Sequence, residues 1–339
     1  MRIVVASFQV PFNRGGANFL AEGLINALQR RGHQAELVTA PFRFAPDEQV
    51  GRAIDYWLSE DFCTLNFAEP DLVIPLSFPA YYCLHSRKRV WLMHQLRTAY
   101  DLAPENMDPA LRARIHELDT NRLNACEAVF TISKRVSQRL SDNNGVASTA
   151  IYHPPPGAED FYSAPAKAFI FAPSRIETLK RQNLLVEAMA KVRSPVVAII
   201  SGMGGQYGAL LEQVRTLGLD QRVRLVGNVP QAEKIAYYAN CLGVYFAPHD
   251  EDYGYVTLEA MLAEKPVITG RDSGGPLEFV IDDETGLIVE PDAQALAEAI
   301  DRLYADQHRA SAMGRAGRAW LNQLDLTWDK TLDQLLAGM

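Results

Sequence analysis

The sequence predicts an α/β protein built from two consecutive domains, each a doubly wound parallel sheet. Its length of 339 residues exceeds the usual size of one hydrophobic core, and a hydrophobic content of 48% is ample for two. Short apolar runs alternate with helical patterns throughout, which is typical of strand–helix–strand units. A proline-rich stretch near the middle separates the two series of runs.

The first domain is predicted over residues 1–155. Its first helix carries apolar residues at a period of 3.6, and Gly32 stops it. These apolar residues are Phe19, Leu20, Leu24, Ala27 and Leu28. Further apolar runs predict strands at residues 2–8, 34–39, 71–76, 90–93, 127–132 and 148–152. A helix at residues 325–339 is expected to rejoin this domain.

The linker is predicted at residues 154–157, because the run Pro-Pro-Pro-Gly continues neither a helix nor a central strand, and at 164–166. The second domain is predicted over residues 166–322. Its strands are predicted at 168–173, 196–201, 223–226, 243–247, 266–269 and 287–289. Doubly wound sheets bind ligands at the carboxyl ends of their strands, so two facing sheets predict a binding cleft between the domains.

The cysteines and the N-terminus indicate the compartment. The four cysteines are far apart and form no Cys-x-x-Cys pair, so we expect reduced thiols and neither a disulfide framework nor a zinc site. The chain runs directly into a strand-like segment without the features of a signal peptide. No apolar run approaches the roughly 20 residues that span a bilayer. We therefore expect a cytoplasmic protein, which could also work at the inner face of the membrane.

The charge distribution bears on the partners. Residues 1–155 carry equal numbers of basic and acidic residues, so the formal net charge of −8 lies in the remainder. An acidic surface disfavours nucleic acid as a partner. The basic runs at residues 87–89 and 134–135 are compatible with weak peripheral contact with anionic lipid, although such runs are usually solvated surface.

The most informative segment is residues 249–261, which follows the predicted strand at 243–247. Gly254 lets the backbone approach a ligand where a helix starts, and the free amides and dipole there favour a phosphate. Glu259 falls off the apolar face of that helix, and its side chain tilts toward the helix start. Glu251 and Glu259 thus offer carboxylates to sugar hydroxyls. An acidic loop followed by a surface glutamate is the alternative reading of this spacing.

This segment resembles the E-x7-E motif of the family-4 retaining glycosyltransferases, and the resemblance continues through residues 265–269, 273–278 and 285–287. It implies a GT-B fold, with two Rossmann-like domains facing an interdomain cleft, and a nucleotide-sugar donor. It further implies that Glu251 contacts the transferred sugar and Glu259 holds the ribose hydroxyls. The backbone amides of Gly254, Tyr255 and Val256 would meet the diphosphate, and Asp252 and Tyr253 of the same loop are assigned to donor binding.

A second fragment, residues 174–181, resembles the family's Arg-x4-Lys loop. Negative charge accumulates on the leaving diphosphate as the glycosidic bond breaks, and Arg175 and Lys180 would stabilise it electrostatically. An exposed basic turn is the alternative for this pair. The acidic triplet 250–252 could instead suggest the metal-binding DxD of the other major transferase architecture. The cationic pair and the two-sheet organisation argue against it, so no metal is expected.

Two further loops of the second domain are assigned to the donor. Gly202 and Met203 follow a predicted strand, where missing side chains permit close backbone approach to the diphosphate or sugar, although glycines also make ordinary turns. Asn228 and Val229 end the next strand, where the family's loop cradles the nucleotide base mainly through backbone groups. The sequence therefore does not identify the base.

The first domain offers fewer matches. Gly15 and Gly16, within residues 13–17, resemble the family's glycine loop between donor and acceptor, and a simple turn is the alternative. This run is too short for the dinucleotide or phosphate-binding fingerprints. His94 directly follows the strand at 90–93 and occupies the position of the family's active-site histidine. A structural histidine is the alternative at that position.

The resemblance implies a retaining, metal-independent transfer that needs no cofactor, by front-face substitution in which the departing phosphate oxygen takes the acceptor's proton. The acceptor would be a hydroxyl-bearing glycan, lipid-linked or small molecule, in cell-envelope polysaccharide or glycolipid synthesis. GDP-mannose is favoured slightly over UDP-sugars as donor. The alternatives are a nucleotide-sugar epimerase and a catalytically silent nucleotide-sugar-binding protein. A phosphorylase lacks a convincing lysine context for pyridoxal phosphate.

Overall fold

The computed structural model describes residues 1–12, 15–64, 68–104 and 106–339, which form two compact units. Unit 1 comprises Met1–Pro156 and Leu326–Met339, and unit 2 comprises Gly157–Asp325. The predicted linker at 164–166 belongs to unit 2. There the Ala164 amide donates to the Ala239 carbonyl at 3.1 Å, and Lys265 Nζ donates to the Ala164 carbonyl at 2.7 Å.

Unit 1 is built on parallel strands. Its strands are β1 (Arg2–Gln9), β2 (Gln34–Pro41), β3 (Leu72–Pro75), β4 (Arg89–Leu92), β5 (Ala128–Thr131) and β6 (Thr149–Ala150). They pair in the orders β2-β1-β3 and β4-β5-β6. A parallel bridge between Val73 and Lys88, and a bond from the Met93 amide to the Leu76 carbonyl at 2.9 Å, continue the pairing from β3 to β4. The carboxyl ends of these strands therefore lie along one edge.

The helices of unit 1 connect the parallel strands. They are α1 (Gly16–Arg30), α2 (Asp47–Ser59), α3 (Pro109–Asn124) and α4 (Lys134–Asn144). Helix α1 follows the predicted pattern, with Leu20, Leu24 and Leu28 buried on one face. Helix α4 begins at Ser133, whose hydroxyl accepts from the Val136 amide.

Unit 2 contains a six-stranded parallel sheet. Its strands are β7 (Phe169–Pro173), β8 (Val197–Ser201), β9 (Val223–Gly227), β10 (Gly243–Tyr245), β11 (Val267–Gly270) and β12 (Gly286–Val289). Their spatial order is β12-β11-β10-β7-β8-β9. Strands β8 and β9 follow on one side of β7, and β10, β11 and β12 follow on its other side. The gap between the carboxyl ends of β7 and β10 is therefore the topological switch point, where doubly wound sheets bind ligands.

The helices of unit 2 bury their apolar sides against this sheet. They are α5 (Gln182–Met189), α6 (Tyr207–Thr216), α7 (Gln231–Asn240), α8 (Tyr255–Leu262), α9 (Ala293–Ala305) and α10 (Gln307–Leu324). Fully buried aliphatic side chains from strands and helices meet in one core, among them Ile170, Ile200, Leu185, Leu296 and Ile300. Burial of each such side chain stabilises the fold by about 1.5–3 kcal/mol.

The chain returns to unit 1 in helix α11 (Trp328–Leu335). A Cβ at Gly23 of α1 would lie 2.2 Å from Trp328 Cζ2, so only glycine leaves room for this indole. Arg89 donates to the carbonyls of Leu335 and Ala337 at 2.9 and 2.8 Å. Within the described part of the chain, no helix is both long and apolar enough to cross a membrane.

Candidate active site

Lys180 and Glu251 meet at the switch point of unit 2. Lys180 belongs to the loop after β7 and Glu251 to the loop after β10, and Lys180 Nζ donates directly to Glu251 Oε2. Both side chains are largely buried, with 16% and 20% exposed, and the Phe246 ring centroid lies 5.7 Å from Nζ. The sequence analysis assigned these residues to different parts of a ligand. The structure pairs them with each other.

The backbone around Lys180 is held from neighbouring elements. A single 3₁₀ turn, Thr178–Lys180, ends at Arg181, which has the left-handed φ of 54°. The Tyr245 hydroxyl donates to the Arg181 carbonyl at 2.7 Å, and the His249 amide donates to the Leu179 carbonyl at 2.7 Å. These bonds tie the loop after β7 to β10 and to the loop that follows it.

Sequence reasoning missed a charged cluster beside this pair. The Arg181 guanidinium donates to both carboxylate oxygens of Asp272 at 2.8 and 2.7 Å, a bidentate geometry. His249 Nδ1 lies 2.9 Å from Arg181 and 3.2 Å from Asp272. The hydrogen bonds from Arg181 hold the pKa of Asp272 below its usual value. Arg181 and Asp272 are 91 residues apart in the sequence, so no local pattern indicated this pair.

The Glu251 backbone depends on a pair of glycines. Its amide donates to the Ser273 carbonyl at 2.9 Å, and its carbonyl accepts from the Gly275 amide at 2.8 Å. Gly274 has a φ of 69°, and a Cβ there would lie 2.6 Å from the Glu251 carbonyl oxygen. The segment after β11 therefore fits against the Glu251 loop only because it lacks side chains at these positions.

Gly254 starts helix α8 with a φ of 88° and a ψ of 64°. A Cβ on it would lie 3.0 Å from the Phe246 ring and 3.1 Å from Pro276. The first turn of a helix presents amides without intrahelical acceptors, here including those of Tyr255 and Val256, and favours an anion. The half-buried Asp252 precedes this turn.

Tyr253 has an environment that the sequence did not predict. Its side chain is only 4% exposed, and its ring packs against Phe279 at 5.4 Å between centroids and against Tyr255 at 5.5 Å. Its ring therefore contributes to the packing beneath α8.

Glu259 is buried on α8, with 6% of its side chain exposed. Lys234 Nζ donates to its Oε1 at 2.8 Å, and the Tyr238 hydroxyl donates to its Oε2 at 2.5 Å. Lys234 and Tyr238 are one turn apart on α7. Burial, reinforced by the Glu259 carboxylate, raises the pKa of Tyr238 well above its usual value. Each carboxylate oxygen thus has a protein donor and keeps further acceptor capacity.

Arg175 and the loop after β8, which contains Gly202 and Gly204, lie beside the switch point. The Arg175 side chain is exposed, and it has no hydrogen-bond or ion-pair partner among the residues that the structure describes. A Cβ at Gly202, whose φ is 135°, would lie 2.0 Å from the Ser174 carbonyl, and one at Gly204 would lie 2.3 Å from the Ile176 carbonyl. The sequence analysis related the loop's glycines to ligand approach. The contact between the loops after β7 and β8 already requires glycine at positions 202 and 204.

The other predicted donor residues lie at the carboxyl ends of β8 and β9. Met203 is 46% exposed, and its carbonyl accepts from the Ile176 amide at 3.0 Å. Asn228 is exposed and Val229 is half-buried directly after β9. All predicted site residues of the second domain therefore lie on loops at one edge of one sheet or on α8.

His94 lies in unit 1, directly after β4 and Met93. Its Nδ1 is 2.6 Å from the Gln95 carbonyl oxygen, which can only accept, so Nδ1 carries the proton and Nε2 of the neutral ring is an acceptor. The Gln95 side chain is buried, and its Oε1 accepts from Asn143 Nδ2 at 3.0 Å. Neighbouring contacts thus fix the backbone that orients His94.

The predicted glycine loop of unit 1 is described in part. The Gly15 amide donates to Asn18 Oδ1 at 3.0 Å, where α1 begins with Gly16. A Cβ at Gly15 would have no neighbour within 4 Å, so packing does not require glycine there. Asn13 and Arg14 lie outside the described residues.

Asp119 is a fully buried carboxylate that the sequence analysis did not single out. It accepts hydrogen bonds from the hydroxyls of Tyr81, Tyr82 and Tyr100 at 2.7, 2.6 and 2.7 Å. Burial raises its pKa, and the tyrosine hydrogen bonds oppose that shift. It falls on the buried stripe of α3 formed by Leu111, Ile115 and Leu123. An acidic residue at a core position of a helix was the available signal.

Within the described ranges, three potential metal ligands cluster in unit 1: Cys63, Glu69 and His85. His85 Nδ1 lies 2.7 Å from the Arg87 carbonyl and Nε2 lies 3.0 Å from the Pro70 carbonyl. Both ring nitrogens therefore already have a backbone partner, and the Arg87 amide also donates to Nδ1 at 3.1 Å.

Comparison with known proteins relates the second unit to a family. Residues 160–320 match the family of glycosyl transferases group 1. The GDP-mannose-dependent alpha-(1-6)-phosphatidylinositol monomannoside mannosyltransferase of Mycolicibacterium smegmatis is 31% identical over 63% of each chain. Human alpha-1,3/1,6-mannosyltransferase ALG2 is 29% identical over 49% of this chain and 43% of its own. The chain spans less than two thirds of the length of these relatives.

Solved structures resemble the whole chain. Sucrose-phosphate synthase from Thermosynechococcus elongatus superposes with a TM-score of 0.78 at 21% identity, covering 98% of this chain and 97% of the other. Anabaena Alr3699/HepE in complex with UDP and glucose gives 0.75 at 19% identity, with 98% of each chain covered. At this identity the likeness bears on the fold alone, and it confirms the predicted GT-B fold with two Rossmann-like domains.

Proposed function

We propose that this chain is a retaining glycosyltransferase that moves a sugar from a nucleotide-sugar donor to a hydroxyl group without a metal ion. The observation that carries the proposal is the Lys180–Glu251 pair at the switch point of a glycosyl transferases group 1 domain. A cation for a diphosphate and a carboxylate for sugar hydroxyls lie in contact there, at the edge of the sheet where such folds bind ligands.

The donor would occupy this edge of unit 2. The amides at the start of α8, after Gly254, would bind the diphosphate, and Glu259 would accept hydrogen bonds from the ribose hydroxyls with its remaining lone pairs. The loop at Asn228 would border the base. Gly202 would lie beside the phosphates, and Glu251 would accept from hydroxyls of the transferred sugar.

The chemistry would be a front-face substitution. The bond from the anomeric carbon to the diphosphate oxygen breaks, the acceptor oxygen bonds that carbon on the same face, and the departing phosphate oxygen takes the acceptor's proton. Lys180 and the exposed Arg175 would stabilise the charge that develops on the diphosphate, which is the task a metal performs elsewhere. His94, with Nε2 as an acceptor, would take a hydrogen bond from a sugar hydroxyl.

GDP-mannose is the donor we favour, because the Mycolicibacterium relative is a GDP-mannose-dependent mannosyltransferase. The Anabaena structure contains UDP, so UDP-sugars are the comparison. A lipid-linked acceptor in cell-envelope glycolipid synthesis follows from the phosphatidylinositol monomannoside in the same relative's name.

The test begins with nucleotide binding. GDP, UDP, ADP and dTDP are compared by thermal shift, and the cognate one at about 100 times its Kd should stabilise by about 2.7 kcal/mol. Transfer from the matching donor is then assayed in excess EDTA, and the anomeric configuration of the product is determined by NMR. An inverted product, a strict metal requirement, or donor conversion without an acceptor, as in an epimerase, would contradict the proposal.

A further inference from the structure

A cavity lies in unit 1, between the carboxyl end of β2 and helix α2, with a volume of about 580 Å³. Its lining comprises Thr39, Ala40, Pro41, Arg43, Gln49, Arg52, Ala53 and Tyr56. Strands of doubly wound units present ligands at their carboxyl ends, and β2 ends at this cavity. A volume of this size is within the range of pockets that hold small molecules.

Helix α2 has two distinct faces. Val50, Ile54 and Trp57 are buried and fix the helix on unit 1. The cavity face carries Gln49, Arg52, Ala53 and Tyr56, which are spaced i, i+3, i+4 and i+7 and therefore form one stripe. The small side chain of Ala53 leaves space in the middle of this stripe.

Two guanidinium groups border the cavity without a counter-charge. Arg43 and Arg52 are exposed, and among the residues that the structure describes neither has a hydrogen-bond or ion-pair partner. The lining contains no carboxylate. Other arginines of unit 1 pair with carboxylates: Arg31 with Asp333, Arg89 with Glu127, Arg97 with Asp101 and Arg114 with Asp55.

Two carboxylates near the cavity are already engaged in other contacts. Asp47 accepts from the Asp108 amide at 2.8 Å, and Asp55 pairs with Arg114. Burial, together with the nearby Glu60 carboxylate, raises the pKa of the Tyr56 hydroxyl. The positive potential at Arg43 and Arg52 is therefore not cancelled within the lining.

The segment that carries Arg43 is anchored on both sides. Phe42 is 3% exposed, and its ring lies 4.9 Å from Phe44 and 5.1 Å from Phe8 between centroids. The Phe8 and Phe44 rings are 5.9 Å apart. Arg43 thus projects from a fixed backbone and Arg52 from a regular helix, so little ordering is needed to bring them to a ligand.

We propose that this cavity binds the phosphate group of a phosphorylated ligand, with Arg43 and Arg52 as the two cations. Guanidinium groups match phosphate oxygens with paired N–H donors, and the Gln49 amide adds a further donor. The remaining volume accommodates the polyol or sugar that carries the phosphate. That this ligand is the acceptor rests on the proposed function, whereas phosphate binding itself does not.

The test compares the whole chain with the variant Arg43→Gln/Arg52→Gln and with Arg30→Gln, which removes an exposed arginine from α1 of the same unit. The probes are inorganic phosphate, glycerol 3-phosphate, and phosphatidylcholine vesicles with or without phosphatidylglycerol. Removing the two arginines should weaken binding about 10- to 100-fold, and Arg30→Gln should not. The side-chain Nε–H NMR signals of Arg43 and Arg52 should shift with the probe, while that of Arg30 stays in place.

Arginine-dependent binding of glycerol 3-phosphate would identify the ligand of this cavity as a soluble phosphomonoester. Arginine-dependent binding of phosphatidylglycerol vesicles alone would assign a lipid phosphodiester, and either result supports the site. Equal binding of every probe by the wild type and the double variant would overturn it. Thermal shift with the nucleotide should be the same in both proteins. A chain that binds no nucleotide but keeps arginine-dependent phosphate binding would refute the proposed function and leave this site standing.

Discussion

Lys180 Nζ donates to Glu251 Oε2 although the two residues are 71 positions apart in the sequence. Each neutralises the other in a setting that is mostly shielded from water. A bound diphosphate would offer Lys180 a second, more highly charged partner. Donor binding is then expected to redistribute the hydrogen bonds of Lys180 between the phosphate and Glu251, which would leave Glu251 able to accept from sugar hydroxyls.

Lys180→Ala should lower turnover about 10²- to 10³-fold while nucleotide affinity is largely kept, because the diphosphate gains charge only as the glycosidic bond breaks. Saturation kinetics and direct nucleotide binding measure the two effects separately. Lys167→Ala, which removes an exposed lysine of the same unit, is the control. A raised KM with unchanged kcat would mean that Lys180 supplies uniform binding only.

Glu259→Ala should weaken nucleotide binding by about 10- to 150-fold, because a charged hydrogen-bond partner of the ribose is lost. Tyr238→Phe is the matched variant, since it removes one donor to Glu259 from a fully buried position that no ligand reaches. It should lower the free energy of unfolding by about 1–3 kcal/mol and leave nucleotide affinity unchanged. Normal nucleotide binding by Glu259→Ala would show that this carboxylate only stabilises the fold.

Asp272→Asn should lower the Tm at neutral pH, because Arg181 loses its bidentate partner. The folded-state pKa of Asp272 lies below its unfolded value, so its contribution is complete above about pH 4 and disappears as the pH falls through the folded-state pKa. The Tm difference between wild type and variant should therefore fall toward zero as the pH is lowered. Asp220→Asn, which removes an exposed carboxylate of unit 2, is the control. A Tm difference that persists at low pH would contradict this account.

Gly254→Ala should destabilise the protein by about 1–2 kcal/mol from the left-handed backbone alone, with contacts to Phe246 and Pro276 adding to the cost. Gly208→Ala on α6 is the matched change, because a Cβ there meets nothing within 4 Å. It should be neutral or stabilising by up to about 1 kcal/mol. Denaturant unfolding of both variants checks the contrast, and equal effects would refute it.

The neutral imidazole of His94 should carry its proton on Nδ1. Long-range ¹⁵N–¹H correlation spectra of the imidazole distinguish the two tautomers directly. The Nδ1–H tautomer follows from the 2.6 Å contact with the Gln95 carbonyl, and it makes Nε2 the acceptor. A protonated Nε2 in the neutral ring would contradict both this geometry and the proposed role of His94.

The sequence predicted the α/β class and its parallel sheets because short apolar runs and period-3.6 patterns are local. The buried stripe of α1 and the strand core of β7 are read from neighbouring residues. The environment of Glu259 is not local. The pattern of α8 placed it off the apolar face, but its donors, Lys234 and Tyr238, approach from another helix and bury it.

Glycines illustrate the same limit. A run such as Gly202 to Gly205 indicates that side chains are excluded, but the sequence does not say whether a ligand or another loop excludes them. The carbonyls of Ser174 and Ile176 do so here. Asp119 was recognisable as a polar residue on an apolar stripe, whereas its three tyrosine partners required the fold.

Helix α11 makes unit 1 discontinuous in the sequence, and this affects the order in which the chain can fold during synthesis. Residues 1–156 leave the ribosome before residues 326–339, with the Gly23 notch in α1 still unfilled and the Arg89 guanidinium still lacking the carbonyls of Leu335 and Ala337. Unit 2 is continuous and is finished next. Unit 1 therefore begins to emerge before unit 2 and is completed only after it, and until then the space at Gly23 that the Trp328 indole fills stays open.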